Sequence, residues 1–216
     1  MRKILAIFCL LISVNCVHAQ ELWTSLDAET SLTKKLSVDA TAEFRWQQFG
    51  TPLKTAFGEV GMSYKIMKPV SIGASYRFSQ RSRDTGFFTI HTFAATLSYR
   101  YKIGNVRIAY RNKFETDKDT YTTSVEDLRL HCTDRNRMRI SYYKKGTLLE
   151  PSVFIESFNE ISARERYTLS ELRYGANLNF MLYRGYSVGV GGFVKQSFSS
   201  KTEFTYVGTV ALVKEF

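Results

Sequence analysis

Leu36-Ser37-Val38-Asp39-Ala40-Thr41-Ala42-Glu43-Phe44-Arg45-Trp46-Gln47 alternates apolar with polar residues at every step. A β-strand sends successive side chains to opposite faces, so Leu36, Val38, Ala40, Ala42, Phe44 and Trp46 share one face, while Asp39, Glu43 and Arg45 lie on the other. A helix would scatter these residues around its circumference, because its period is near 3.6. In water the apolar face would need a second layer to cover it. The stretch is therefore a strand with one dry face and one charged face.

The same period recurs on both sides of it. Leu22 to Leu32 places Leu22, Leu26, Ala28 and Leu32 opposite Trp23, Ser25, Asp27 and Glu29. Downstream, Val60, Met62, Tyr64 and Ile66 oppose Glu59, Gly61, Ser63 and Lys65, and Ile72, Ala74, Tyr76 and Phe78 oppose Ser71, Ser75, Arg77 and Arg81. The last segment, Phe204 to Phe216, carries Phe204, Tyr206, Val210, Leu212 and Phe216 on one face. Ending on an aromatic residue in this way, it resembles the closing strand of a bacterial outer-membrane β-barrel. Lys214 departs from that pattern, since a hydrophobic residue usually stands third from the end.

Composition fits a wall of paired strands. Only 3 of 216 residues are proline, which cannot donate to a sheet ladder. No apolar run reaches the roughly 18 residues that a spanning helix requires. Ile4 to Val14 is short, follows Arg2 and Lys3, and precedes Val17-His18-Ala19. It reads as a secretory signal over residues 1–19, leaving 20–216 as one barrel domain. Loss of Arg2 and Lys3 reduces the formal charge from +10 to +8. In an exported protein that excess suits an anionic membrane surface and not nucleic acid. Cys9 and Cys16 leave with the signal, so Cys132 has no partner for a disulfide.

Strand counting gives a closed antiparallel transmembrane barrel of 10 to 12 strands. Short turns near Lys34, Lys68, Gly104, Gly146 and Gly185 alternate with longer loops, as in barrels with short periplasmic turns. The region around Asp134-Arg135-Asn136 reads either as a turn or as the middle of one long strand. One long strand gives eleven, a break gives twelve, and omitting the Leu22 segment gives ten. About twelve is favoured, because bacterial single-chain barrels have even strand numbers.

A tilted strand of about ten residues crosses the hydrocarbon core, and the backbone there finds partners only if the sheet closes on itself. The apolar faces then point to lipid, with Trp46, Tyr64, Tyr99, Tyr101 and Phe180 near strand ends as an aromatic girdle. The charged faces point into the lumen. Its candidates are Glu43, Arg45, Glu59 and Arg77 in the first half, then Arg100, Arg107 and Arg111, and finally Arg137, Arg139, Glu156 and Arg173. Such groups either pair and fill a narrow lumen or line a pore biased toward anions. Filling is favoured, because both signs occur around the wall.

No catalytic constellation stands out. Serine-dependent acyl chemistry requires a histidine and an orienting group. His91 falls on the apolar side, whereas His131 lies near Ser124 and Asp127. That grouping defines an alternative, a lipid-modifying enzyme using His131. No phosphate loop, zinc pattern or metal cluster is present in the sequence, and no cofactor is implied.

Arg135-Asn136-Arg137-Met138-Arg139, Pro151 with Glu156 and Phe158, and Arg173-Tyr174 before Gly189 and Gly191 resemble a family of short exported β-barrels catalogued as domain of unknown function 2490. The likeness runs from Trp23 to Phe216. It implies an outer-membrane location in a Gram-negative bacterium, and it transfers no catalytic residues. The partners expected on this reading are outer-membrane lipids and the barrel-assembly machinery, engaged through the strand ending at Phe216.

Overall fold

A computed structural model of the chain describes residues 19–47, 52–83, 86–119, 131–161, 167–198 and 201–216. Eleven strands are present among them. The first four are β1 (Glu21–Ser31), β2 (Leu36–Trp46), β3 (Leu53–Met67) and β4 (Val70–Arg83). The middle of the wall is β5 (Gly86–Ile103), β6 (Val106–Asp119), β7 (His131–Tyr142) and β8 (Leu149–Ile161). It ends with β9 (Tyr167–Met181), β10 (Tyr186–Phe198) and β11 (Thr202–Glu215). Each strand pairs with its neighbours in sequence, and β1 pairs with β11, so the sheet closes into a barrel.

The strand number lies inside the expected range, but parity is settled differently from the even-number expectation. Asp134, Arg135 and Asn136 run straight through β7, paired with β6 on one side and β8 on the other. The wall therefore has eleven strands, and the closing pair is parallel, with Glu21 opposite Val207 and Glu29 opposite Glu215. All other neighbouring pairs are antiparallel. A parallel ladder satisfies backbone donors and acceptors as an antiparallel one does, with slanted bonds. Closure therefore does not require an even count. Leu128 and Leu130, upstream of β7, lie outside the described residues, as do 1–18.

Strands extend farther toward one rim than the polar residues there suggest. Arg83 pairs with Gly86, so β4 and β5 stay paired through the polar residues at this end, and β6 likewise continues through Thr116 to Asp119. The opposite rim has tight connections. Gly104 turns the chain between Ile103 and Val106 with φ of 58°, a left-handed conformation that glycine adopts without Cβ strain.

The wall has an apolar outside. Val60, Met62 and Phe93 are 56%, 59% and 61% exposed although they sit in mid-strand. His91 is on this face, with Nδ1 2.7 Å from the Tyr76 hydroxyl. Lys214 also faces outward, and it donates from Nζ to the Arg184 carbonyl at 2.5 Å while lying over Tyr186 and Phe216. Its ammonium is thus held at the short-turn rim, and its stem covers aromatic surface.

One outward region is polar instead. Asn112 donates to Asp134 at 2.5 Å, the Tyr110 hydroxyl donates to Asn136 at 2.5 Å, and the Tyr167 hydroxyl donates to Asp134 at 2.5 Å. These bonds knit the outer faces of β6, β7 and β9 beside apolar neighbours.

Few apolar side chains are buried inside. Trp23, Phe154, Phe193 and Val207 form the buried apolar cluster, with Phe193 meeting Trp23 and Phe154 edge to face at 5.0 Å and 6.0 Å between ring centroids. Gly175 stands opposite Phe193. A Cβ at Gly175 would run into the backbone oxygen of Gly192 and into Phe193 itself, so glycine at this position makes room for the inward ring.

Candidate functional site

The lumen contains a connected network of ion pairs. Alternation along β3, β4, β6, β7 and β8 sends Glu59, Arg77, Lys113, Glu115, Arg135 and Glu156 inward, and these side chains form a continuous chain of ion pairs. Glu59 accepts from Arg77 at 2.5 Å and from Lys113 at 2.6 Å. Glu115 meets Lys113 at 3.2 Å, Arg77 at 3.3 Å and Arg135 at 2.8 Å. Glu156 receives Arg135 at 3.1 Å and Arg111 at 2.9 Å.

Arg77 reaches Glu115 across β5, whose register presents Ala94 beside Glu115. A small residue there leaves the space that the guanidinium crosses. Lys113, Glu115 and Glu156 are buried, at 6%, 6% and 3% exposure. Buried charges persist only when paired and hydrogen-bonded, and sharing each carboxylate between two or three cations meets that requirement.

The other side of the lumen uses aromatic rings as acceptors. Arg45 lies 3.8 Å from the Trp23 ring centroid and 5.2 Å from that of Phe57. Arg173 stacks 5.0 Å from Trp23 and 4.1 Å from Phe158, and Arg135 lies 4.5 Å from Phe158. Arg77 is 4.7 Å from Phe57. A guanidinium over a ring face is held by the ring quadrupole, more strongly where water is excluded.

Joined together, these contacts make a complete circuit: Arg45, Trp23, Arg173, Phe158, Arg135, Glu115, Arg77, Phe57, and back to Arg45. The ring of side chains passes over β1, β2, β3, β4, β6, β7, β8 and β9. Glu43 and Glu171 brace it from within their own strands, pairing with Arg45 at 2.6 Å and Arg173 at 2.5 Å. Toward the long-loop rim, Glu21 holds Lys54 at 2.8 Å, Lys195 at 3.2 Å and the Trp23 indole nitrogen at 2.9 Å.

Toward the short-turn rim the lumen is roomier. A cavity of about 390 Å³ runs from Trp23, Arg45 and Arg173 down to Arg139 and Asn179. It adjoins a second, of about 280 Å³, lined by Arg100, Arg107, Arg111, Arg137 and Arg139 with Glu150, Ser141, Ser152 and Asn179. Arg107 pairs with Glu150 at 3.1 Å, and Arg137 stacks 4.3 Å from the Phe154 ring.

All of the sequence candidates have inward positions, yet they divide into two groups. Glu43, Arg45, Glu59, Arg77, Glu156 and Arg173 belong to the circuit or brace it, whereas Arg100, Arg107, Arg137 and Arg139 line the short-turn chamber; Arg111 lines the chamber and binds Glu156. Arg135 was not among the candidates, because the polar residues on both sides of it obscure the alternation. The inward aromatics Trp23, Phe57, Phe154, Phe158 and Phe193 were not candidates either. Parity with Asp27, Glu59, Glu156 and Lys195 is the signal that marks them.

Ser124 and Asp127 lie outside the described residues, and His131 is exposed at the start of β7. No group of three metal-ligating side chains occurs among the described residues.

Residues 20–205 match the family described as a protein of unknown function, DUF2490. The chain belongs to that family. No curated protein matches it by sequence. The DUF2490 fold in this chain is thus a closed β-barrel with a charged and aromatic interior.

Proposed function

We propose that the chain is an outer-membrane β-barrel of a Gram-negative bacterium, exported by a signal over residues 1–19 and held closed across its lumen. The outer wall supports the location. Val60, Met62, Phe93 and Ile72 are largely exposed on its outside, and each Å² of such surface left in water forgoes about 25 cal/mol. Lipid removes that cost and leaves the backbone fully paired within the closed sheet. The strand ending at Phe216 offers the aromatic terminus through which barrel-assembly machinery would be engaged.

The observation that carries the closed state is the circuit from Arg45 through Trp23, Arg173, Phe158, Arg135, Glu115, Arg77 and Phe57. Each cation in it touches two or more partners, so none of them moves without breaking several contacts. The protein acts as a structural barrel with a narrow, closed lumen and not as a diffusion pore. Purified barrel in planar bilayers should show no sustained ionic current, and the double variant Arg45→Ala/Arg173→Ala should conduct. Steady current through the unaltered barrel would refute the closed state.

A further inference from the structure

We propose that the chamber at the short-turn end of the lumen binds a phosphate-class dianion, a phosphomonoester or inorganic phosphate. Five arginines face this space of about 280 Å³. Two of them are already paired, Arg107 with Glu150, which lines the same chamber, and Arg111 with Glu156 deeper in the lumen. Arg100, Arg137 and Arg139 have no carboxylate within ion-pair distance among the described residues. The chamber therefore holds three arginines without an ion-pair partner, Arg137 and Arg139 within the lumen and Arg100 at its exposed mouth, and like charges gathered in a cleft focus the field there.

The donors there are also short of acceptors. Nε of Arg111 and Nε of Arg137 are shielded from solvent and lack a hydrogen-bond partner, as does the Ser152 hydroxyl. All three residues line the same chamber. A buried donor without an acceptor is costly, and the Arg111 and Arg137 side chains gain one by turning toward an anion held in the chamber.

The class of anion follows from geometry and charge. Guanidinium forks match the paired oxygens of carboxylates and phosphates. A monoanion offsets only one of the three free cations, whereas a phosphomonoester carries close to two negative charges near neutral pH and three acceptor oxygens. Ser141, Ser152 and Asn179 add neutral hydrogen-bonding groups along the same wall. The space also suits the size, since a water in the liquid occupies about 30 Å³ and the chamber holds several times that. Arg100 is exposed at the mouth, where it meets an arriving ligand first.

The proposal deepens the closed-barrel reading and rests on it for the chamber's floor against the circuit, yet the two are separable, because binding is read in detergent and closure in a bilayer. Mature barrel in micelles is titrated calorimetrically with inorganic phosphate at low ionic strength. Saturable binding at one site per barrel is expected, unaffected by an equal concentration of chloride. Arg139→Gln and Arg137→Gln should each weaken it tenfold or more, while Arg81→Gln, toward the opposite rim, should leave it unchanged. Should Arg137→Gln fail to fold for want of its contact with Phe154, Arg100→Gln gives a second reading at the mouth, with a loss of threefold or more.

Competition identifies the source. Displacement of phosphate by glycerol 3-phosphate points to soluble phosphomonoesters. Displacement by phosphatidic acid in mixed micelles, and not by glycerol 3-phosphate, points to a lipid headgroup. Either result supports the shared chemistry, and displacement by neither overturns the phosphomonoester class. Absence of saturable binding, unaltered binding in Arg139→Gln, or an equal loss in Arg81→Gln overturns the site.

Discussion

Two levels of one lumen use the same residue type in opposite ways. In the middle, Arg77 and Arg135 are each bound to two carboxylates and to one aromatic face. At the short-turn end, Arg100 and Arg139 line a chamber without any carboxylate of their own among the described residues. The contrast lies in the supply of acceptors and not in the cations. Where β3, β6 and β8 contribute Glu59, Glu115 and Glu156, arginine becomes structural. Where the neighbouring positions are Ser98, Ser141 and Ser152, it remains available.

This difference should appear in stability. Glu156→Ala leaves Arg111 and Arg135 short of a shared acceptor at a position only 3% exposed. Breaking a buried pair in this way costs about 3–5 kcal/mol, read as a lower midpoint of urea unfolding in micelles. A small loss would mean that the middle layer is wetter than its burial indicates, and the two levels would be less distinct.

Arg45→Ala should come next. It removes two ring contacts and the pair with Glu43, and about 1–2 kcal/mol is expected from the cation–π share. The replacement Arg45→Lys, which keeps the charge but loses the flat stacking surface, should recover only part of the unfolding midpoint. Full recovery would show that charge and not stacking holds the circuit.

Arg100→Gln should have the least effect. The residue is exposed and has no ion-pair partner among the described residues, so the unfolding midpoint should shift by no more than the equivalent of about 0.5 kcal/mol. A gain in stability would sharpen the comparison further, since it would show that the chamber's like charges repel one another in the absence of ligand.

The wall was legible because an apolar outside and a charged lumen impose a strict period of two. Leu36 to Trp46 shows it without interruption, and the structure follows it residue by residue from Leu36 to Arg45 in the pairing of β2 with β3, where the register shifts only at Trp46. The reading was ambiguous where both faces are polar. Asp134 and Asn136 point outward into a hydrogen-bonded patch with Asn112 and Tyr167, while Arg135 and Arg137 point inward, so alternation disappears although the strand does not.

The circuit was less legible than its members. Sequence parity places Arg45 and Arg173 inside, but only the register shows that they converge on Trp23 from β2 and β9. Contacts across a lumen depend on strand stagger, which no local pattern records. The parity of the barrel was hidden for a related reason: a parallel closing pair joins the first and last strands, and neither strand differs in pattern from those around it.

In the outer-membrane barrel proposed above, that parallel seam bears on how the chain enters a bilayer. A wall of even strand number returns to the side from which it started, and both ends of the chain stay behind as the hairpins cross. Here Gln20 hydrogen-bonds beside Tyr206, near the long-loop rim, and Phe216 bonds to Glu29 at the other. The first and last strands of the wall therefore finish at opposite rims, and one of those ends must cross before the seam can zip shut. Insertion of this barrel is a threading problem as well as a folding one.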